Sequence, residues 1–113
     1  MFYSKKDRQT LSMIDGAVYE ATGYDRHSYE SDARDRNSSV ARAFWVYEVY
    51  NRTMLGQYAI ADIIKLNQSN VGRAIKNVKK WIGSPKKYPR EYQVYKSIKD
   101  EIQSRVMETG VKG

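Results

Sequence analysis

The chain has 113 residues, and its 41% hydrophobic share includes ten Tyr, two Trp and two Phe. This length and composition predict one folded domain and exclude low-complexity disorder. With no Cys and a single His, the sequence excludes a disulfide scaffold and thiolate or zinc sites, so no metal ion or cofactor is expected. No segment approaches the ~18 apolar residues of a membrane span, and no apolar signal region opens the chain, so we expect a cytoplasmic protein.

The positive charge of the chain is concentrated in one block. The formal net charge is +7, yet residues 65–90 hold eight basic residues and no acidic residue. Residues 1–64 hold eight basic and nine acidic residues, and residues 91–113 hold four of each. Such a local excess is typical of a surface that binds a polyanion; the alternative is a basic face that only serves solubility.

Apolar residues recur with a period near 3.6 and strand-like alternation is absent, which predicts an all-α fold of about five helices. The first helix is expected from about Lys5 to Ala21, with Gly23 as its stop. Residues 24–36 are polar and aperiodic, which predicts a long loop with room for one turn of helix. The lone His27 in this segment is expected to be a surface or hydrogen-bonded loop residue.

The second helix is predicted from Ser38 or Ser39 to about Arg52, with Asn37 or Ser38 as its N-cap. Its apolar side chains fall on two sides, so we expect it to be buried between partners and assign its aromatic residues to the core. The side chains concerned are Val40, Phe44, Trp45, Tyr47 and Val49.

The second half of the chain is predicted to hold three helices. They are expected over residues 57–65, 68–82 and 90–107, with a tight turn at Leu66-Asn67 and a basic, proline-bounded loop before the last helix. The last helix should turn Tyr95, Ile98, Ile102 and Val106 inward. The single domain then divides into a helix and loop (1–33), a helix-turn-helix core (34–82), and a basic loop with the C-terminal helix (83–113).

The predicted helix over residues 68–82 separates apolar from polar side chains. The apolar positions step by four, three and four residues and should face the core; they are Val71, Ile75, Val78 and Ile82. A second set with the same spacing falls on the opposite face and contains Ser69, Arg73, Lys76 and Lys80. Gln68, Asn70 and Asn77 flank this polar face.

A short helix, a tight turn and a longer helix are the parts of a helix-turn-helix, whose second helix enters the major groove of DNA. We therefore predict binding to double-stranded DNA. The expected base-reading residues are Gln68, Ser69, Asn70 and Arg73. The expected contacts to the DNA backbone come from Lys65, Asn67, Lys76, Asn77, Lys79, Lys80, Lys86 and Lys87. Helix capping is the alternative role for Asn67 and Ser69.

Three features of residues 34–81 also match a known pattern. Arg34 and Arg42 stand eight positions apart, and fourteen positions further the run Gly56-Gln57-Tyr58-Ala59-Ile60-Ala61 begins. Asn67-Gln68-Ser69-Asn70-Val71 then opens the next helix. In these features the segment resembles the C-terminal DNA-binding domain of the bacterial replication initiator DnaA, which has a Trp-repressor-like all-helical fold. That family has a Ser-Leu-Pro-Glu-Ile-Gly-like run and an Asp-His-Thr-Thr-Val run at the two places.

The resemblance implies that Arg34 enters the minor groove and that Arg42 approaches the major groove. Two departures matter: Ile64-Lys65-Leu66 replaces Gly-Gly-Arg with one residue missing, and Asn67-Gln68 replaces Asp-His. The DNA sequence read by the family is therefore not carried over to this chain.

The sequence contains no Gly-rich phosphate loop, and its candidate acids, Asp62 and Glu48, lack a convincing catalytic partner, so no enzyme is expected. We expect a stand-alone, nucleoid-associated DNA-binding protein of bacterial or phage type, acting in replication or transcription control. Two alternatives stay open: a protein-interaction adaptor, and an RNA or single-strand binder in which Tyr88 and Tyr92 stack on bases. A homodimer or a larger replication or transcription partner also stays open.

Overall fold

A computed structural model describes residues 4–30 and 36–109, which form six α-helices and no strand within those ranges. The helices are α1 (Lys5–Thr22), α2 (Arg26–Tyr29), α3 (Arg36–Arg52), α4 (Gln57–Ile64), α5 (Gln68–Gly83) and α6 (Pro89–Thr109). The all-α class is confirmed. The five predicted helices are all present, and the sixth, α2, is the single turn of helix for which the predicted loop over residues 24–36 had room.

Local hydrogen bonds explain where the first two helices begin and end. The Ser4 hydroxyl accepts from the backbone N–H of Asp7 at 3.0 Å and caps α1. The predicted stop at Gly23 is confirmed, since its φ of 80° is the left-handed conformation that glycine adopts without strain. The Asp25 side chain accepts from the backbone N–H of Ser28 at 2.9 Å and so nucleates the single turn of α2.

The start of α3 differs from the prediction. Asn37 and Ser38 were expected as caps, but both lie inside α3, which already includes Arg36. Arg36 Nη2 donates to Glu91 Oε2 on α6 at 2.7 Å, and this tertiary contact holds the additional residues in helical conformation. The other helix limits agree with the predictions to within one or two residues.

The helix α3 is buried on two sides, as its two apolar stripes predicted. It packs against α1 and α2 on one side and against α5 and α4 on the other. The rings of Phe44 and Trp81 lie 5.6 Å apart, and those of Phe44 and Tyr95 lie 6.4 Å apart. Phe44 and Trp45 are both fully buried, so the assignment of these aromatic residues to the core is confirmed.

The last helix closes the core against α1. Ile98 and Ile102 are buried, while Tyr95 and Val106 pack against the core from its edge, which confirms the predicted inward face. A side chain at Gly16 of α1 would lie 2.8 Å from the Arg105 guanidinium. The glycine inside this helix therefore leaves room for the Arg105 side chain of α6.

A polar contact at the edge of this apolar core connects α1, α2 and α3. Trp45 Nε1 donates to Asp15 Oδ1 at 2.7 Å, and Arg26 Nη2 lies 3.8 Å from the other carboxylate oxygen. The Arg26 guanidinium also lies 5.7 Å from the centre of the Trp45 ring. Burial raises the pKa of the Asp15 carboxyl above its ordinary 3.8, and the Arg26 charge and the Trp45 hydrogen bond only partly offset this rise.

This raised pKa predicts a pH-dependent stability. The folded protein binds a proton at Asp15 more tightly than the unfolded chain, so the free energy of unfolding falls as pH rises from 3.8 through the folded-state pKa. Asp15→Asn keeps an oxygen acceptor for Trp45 and removes the titration. Urea unfolding at several values from about pH 4 to about pH 7 should show the wild type losing stability relative to the variant as pH rises. Parallel profiles for the two proteins would contradict the assignment.

Candidate nucleic-acid interface

The helix α5 has the two opposed faces that its sequence predicted. Val71, Val78 and Ile75 are buried, with relative exposures of 0%, 0% and 6%. The opposite set is exposed and consists of Ser69, Arg73, Lys76 and Lys80. Since α5 packs on α3 and α4, its apolar face anchors the helix while the hydroxyl, guanidinium and ammonium groups face solvent.

Three residues connect α4 to α5 and fix the direction of the second helix. Lys65 has a φ of 61° and a ψ of 44°, the left-handed conformation that ends α4. The next N–H, of Leu66, donates to the carbonyl of Ala61 at 3.0 Å. Asn67 then caps α5, since its Oδ1 accepts from the backbone N–H of Asn70 at 3.0 Å. The tight turn predicted at Leu66-Asn67 is therefore confirmed.

The capping bond involves two of the residues proposed to contact DNA. Ser69 Oγ donates to Asn67 Oδ1 at 2.8 Å, so its hydroxyl proton is engaged and its lone pairs remain available as acceptors. The Asn67 amide NH₂ group is not used by the cap and can still donate. Helix capping and contact with a ligand are thus compatible for both side chains.

The left-handed backbone conformation of Lys65 leads to a stability prediction that a comparison of two substitutions at this position can test. Lys65→Gly and Lys65→Gln both remove the ammonium group and its 3.1 Å contact with Glu30, but only glycine adopts a positive φ without steric cost. Urea unfolding should therefore give Lys65→Gly a free energy of unfolding about 1 kcal/mol above that of Lys65→Gln. If the two variants were equally stable, or if Lys65→Gln were the more stable, the positive φ at this position would carry no steric cost and the prediction would be contradicted.

One flank of α5 faces α3 and forms a groove. Asn70 and Asn77 lie two helical turns apart on this flank and are half-buried. Together with Arg42 and Arg73 they line a cavity of about 230 Å³ between the two helices. Arg42 Nη1 also lies 3.4 Å from the backbone carbonyl of Tyr29. Arg34, the other arginine of the predicted pair, lies outside the described residues.

The loop after α5 extends the basic surface. Lys80 Nζ and Lys87 Nζ each lie 5.6 Å from the centre of the Tyr88 ring. The backbone N–H groups of Lys87 and Tyr88 both donate to the Ser84 carbonyl at 3.0 Å, which orders the loop. The Tyr88 ring is thus in contact with one ammonium group from α5 and one from the loop, and Lys79 and Lys86 are exposed nearby in the sequence.

Few acidic side chains of the described residues form ion pairs with the basic residues of this surface. Of the eight basic residues in the block 65–90, only Lys65 forms an ion pair with a residue that the structure describes. The pair with Glu30 leaves its ammonium 64% exposed. The remaining seven are Arg73, Lys76, Lys79, Lys80, Lys86, Lys87 and Arg90. Unpaired charges gathered on one helix and its adjoining loop create a strong local positive potential.

Two residues that line the groove were not among the site residues predicted from the sequence. Arg36 and Ser39 line the groove from the α3 side, together with Ala43. Arg36, Ser39 and Ala43 are three and four positions apart, which places them on one face of α3. This spacing is the feature of the sequence that could have indicated them. Tyr88 was considered only as a base-stacking residue, whereas its ring is occupied by two ammonium groups.

The acidic and histidine side chains that the sequence analysis discussed individually are either engaged in a structural contact or exposed to solvent. Glu48 is buried and accepts from Arg52 Nε at 2.7 Å. Asp62 is exposed on α4, and the exposed His27 has Nδ1 3.6 Å from a Glu30 carboxylate oxygen. Over the ranges that the structure describes, no three His, Asp or Glu side chains cluster as a metal site requires. No helix in those ranges combines the length and the apolar character needed to cross a membrane.

The chain matches no protein-family model, no curated protein and no solved structure. The resemblance of residues 34–81 to the initiator domain therefore stays a prediction. What defines the site is its geometry: a short helix, a three-residue turn, and a second helix with a polar, acid-free outer face.

Proposed function

We propose that this protein binds double-stranded DNA, with α4 and α5 acting as a helix-turn-helix and the first turn of α5 entering the major groove. The observation that carries the proposal is the outer face of α5. This face is exposed, contains no acidic residue and continues into the loop around Tyr88. A polyanion is the partner whose charge complements such a surface over its whole length.

Base reading is assigned to the N-terminal half of α5. Gln68, Ser69 and Asn70 are short polar side chains in its first turn, where a recognition helix comes nearest to the base edges. Arg73 follows one turn later and has the bidentate geometry that suits guanine, while Gln and Asn suit adenine. The N–H groups of this first turn that the Asn67 cap leaves unpaired suit a phosphate.

Backbone contacts are assigned to the lysines further along the chain. Lys76 and Lys80 lie on the outer face of α5, and Lys79 is exposed beside them. Lys87 contacts the same Tyr88 ring as Lys80, and Lys86 precedes it in the same loop. These flexible ammonium groups supply non-directional attraction to phosphates, which raises affinity without selecting a sequence.

Single-stranded nucleic acid is the less favoured ligand. A base that stacked on Tyr88 would have to displace the ammonium groups of Lys80 and Lys87. The second candidate, Tyr92, is half-buried and its ring lies 5.9 Å from that of Tyr95. Neither ring offers the open face that stacking on single strands requires.

A role in replication or transcription control follows from the same proposal. The resemblance to the initiator domain favours replication, while the helix-turn-helix by itself also suits a repressor. In either case Arg42 lines the groove beside α5, along which a DNA strand would run.

The central test is the salt dependence of duplex binding. Fluorescence anisotropy with a random duplex of about two helical turns (~20 base pairs) should give tight binding that weakens steeply with salt. If about six basic residues meet phosphates, log K should fall against log salt with a slope of roughly −5. The combined variant Lys76→Gln, Lys79→Gln, Lys80→Gln should flatten this slope by about 3.

A matched triple variant serves as the control. Lys5→Gln, Lys6→Gln and Lys96→Gln change the net charge equally at exposed positions on α1 and α6, and should leave the slope nearly unchanged. Equal flattening in both variants would mean that only the net charge matters. A wild-type slope near zero would favour the protein-interaction adaptor, and stronger binding to the single strand would favour the RNA or single-strand binder.

Sequence selectivity provides a separate test. After selection of a preferred duplex from a random pool, Arg73→Ala should lose ~1–3 kcal/mol of discrimination at one base pair, because it removes a base contact. Lys80→Ala should weaken all duplexes alike, because it removes a phosphate contact. A loss at one base pair with Lys80→Ala, or a uniform loss with Arg73→Ala, would contradict the two assignments.

A further inference from the structure

The groove between α3 and α5 has a lining that suits an anion. The cavity measures about 230 Å³, and no carboxylate lines it. Its polar lining consists of Arg36, Ser39 and Arg42 from α3 and of Asn70, Arg73 and Asn77 from α5. Three guanidinium groups around one small cavity repel each other, so an anion in the groove would relieve this repulsion.

Several of these donors lack a partner inside the protein. The side chains of Asn70, Arg73 and Asn77 make no hydrogen bond or ion pair with any residue in the described ranges. Asn70 and Asn77 are half-buried and line the groove, so their amide donors are open to a ligand that enters it. A ligand with several oxygen acceptors would satisfy these amide and guanidinium donors together.

Arg36 is held at the wall of this groove by two other residues. Its Nη2 donates to Glu91 Oε2 at 2.7 Å, and its guanidinium lies 5.5 Å from the centre of the Trp81 ring. The hydrogen bond from Arg36 lowers the pKa of the Glu91 carboxyl, which therefore stays ionised and keeps the contact. One of the five N–H donors of Arg36 is used in this way, and the others remain for a ligand.

Sequence spacing places Asn77 at the same end of the groove as Arg36. Asn77 lies one helical turn before Trp81, on whose ring the Arg36 guanidinium rests. Arg73 lies one turn before Asn77, between the groove and the outer face of α5. A guanidinium fixed in position and a half-buried amide therefore line the same end of the groove, near Trp81.

From this arrangement we infer that the groove is a phosphate-binding site in which Arg36 and Asn77 hold the anion. Planar guanidinium groups pair bidentately with phosphate oxygens, and a side-chain amide supplies a further donor. The phosphate is assigned to the backbone of the DNA strand that flanks α5, so this source rests on the proposed function. A free phosphate or a phosphorylated small molecule offers the same chemistry and is distinguished by the test.

The test uses one groove variant and one matched control. Asn77→Asp places a carboxylate of nearly the same shape in the groove and repels an anion. Gln103→Glu makes the same change of charge at an exposed position of α6 that does not line the groove. Circular dichroism of both variants, and their urea unfolding, would verify that each remains folded.

The first arm titrates inorganic phosphate and follows ¹H–¹⁵N NMR signals of the side chains. The Asn77 amide and the Arg36 Nε–H signals should shift and saturate in the wild type and in Gln103→Glu. In Asn77→Asp, which has no side-chain amide at this position, the Arg36 Nε–H signal should not shift. The second arm measures affinity for the random duplex. Asn77→Asp should bind about tenfold more weakly than Gln103→Glu and flatten the salt slope by about 1 relative to it.

The possible outcomes test the phosphate site in the groove and the proposed function separately. Effects of Asn77→Asp in both arms support a backbone phosphate in the groove. Phosphate shifts at Asn77 without a selective loss of duplex affinity overturn the assignment to DNA and leave a site for a free phosphate. Normal duplex binding by both variants without phosphate shifts overturns the groove site while DNA binding stands. If the wild type binds no duplex, the proposed function fails and the phosphate titration alone supports or overturns the groove.

Discussion

The burial of α3 on two opposite sides is the constraint on which the rest of the structure depends. Phe44 and Trp45 are neighbours in sequence, and their side chains point to different partners about 100° apart around the helix. Phe44 packs with Trp81 of α5, and Trp45 donates to Asp15 of α1. Because α3 fills the centre, the helices around it can expose their polar faces, and α5 does so most completely.

The orientation of α5 results from both local and tertiary interactions. The left-handed backbone conformation of Lys65 and the Asn67 cap determine where α5 begins. The burial of Val71 and Val78 determines how α5 is rotated about its own axis. This rotation directs Arg73 and the lysines to solvent, while Asn77 faces α3. The same packing therefore produces both the proposed recognition face and the phosphate groove.

The distribution of charge follows from these arrangements. Some acidic residues outside this block are engaged in structural contacts, as with Asp15 at Trp45 and Glu91 at Arg36, while Asp62 on α4 is exposed. The basic residues of α5 and its loop have few such contacts in the described ranges, and their mutual repulsion costs stability unless a polyanion relieves it.

Much of the fold and part of the candidate site could be predicted from the sequence alone. The period of the apolar residues determined five of the six helices and both faces of α5, because periodicity is a local property of the chain. The first turn of α3 and the part played by Arg36 could not be predicted in this way. Arg36 meets Glu91 and Trp81, which lie 55 and 45 positions further along the chain, and only the packing of α3 against α5 and α6 brings them together. The sequence by itself determined which residues are basic and which face of each helix carries them; the tertiary structure decided which of them share a groove, because contacts between helices depend on packing that no local pattern encodes.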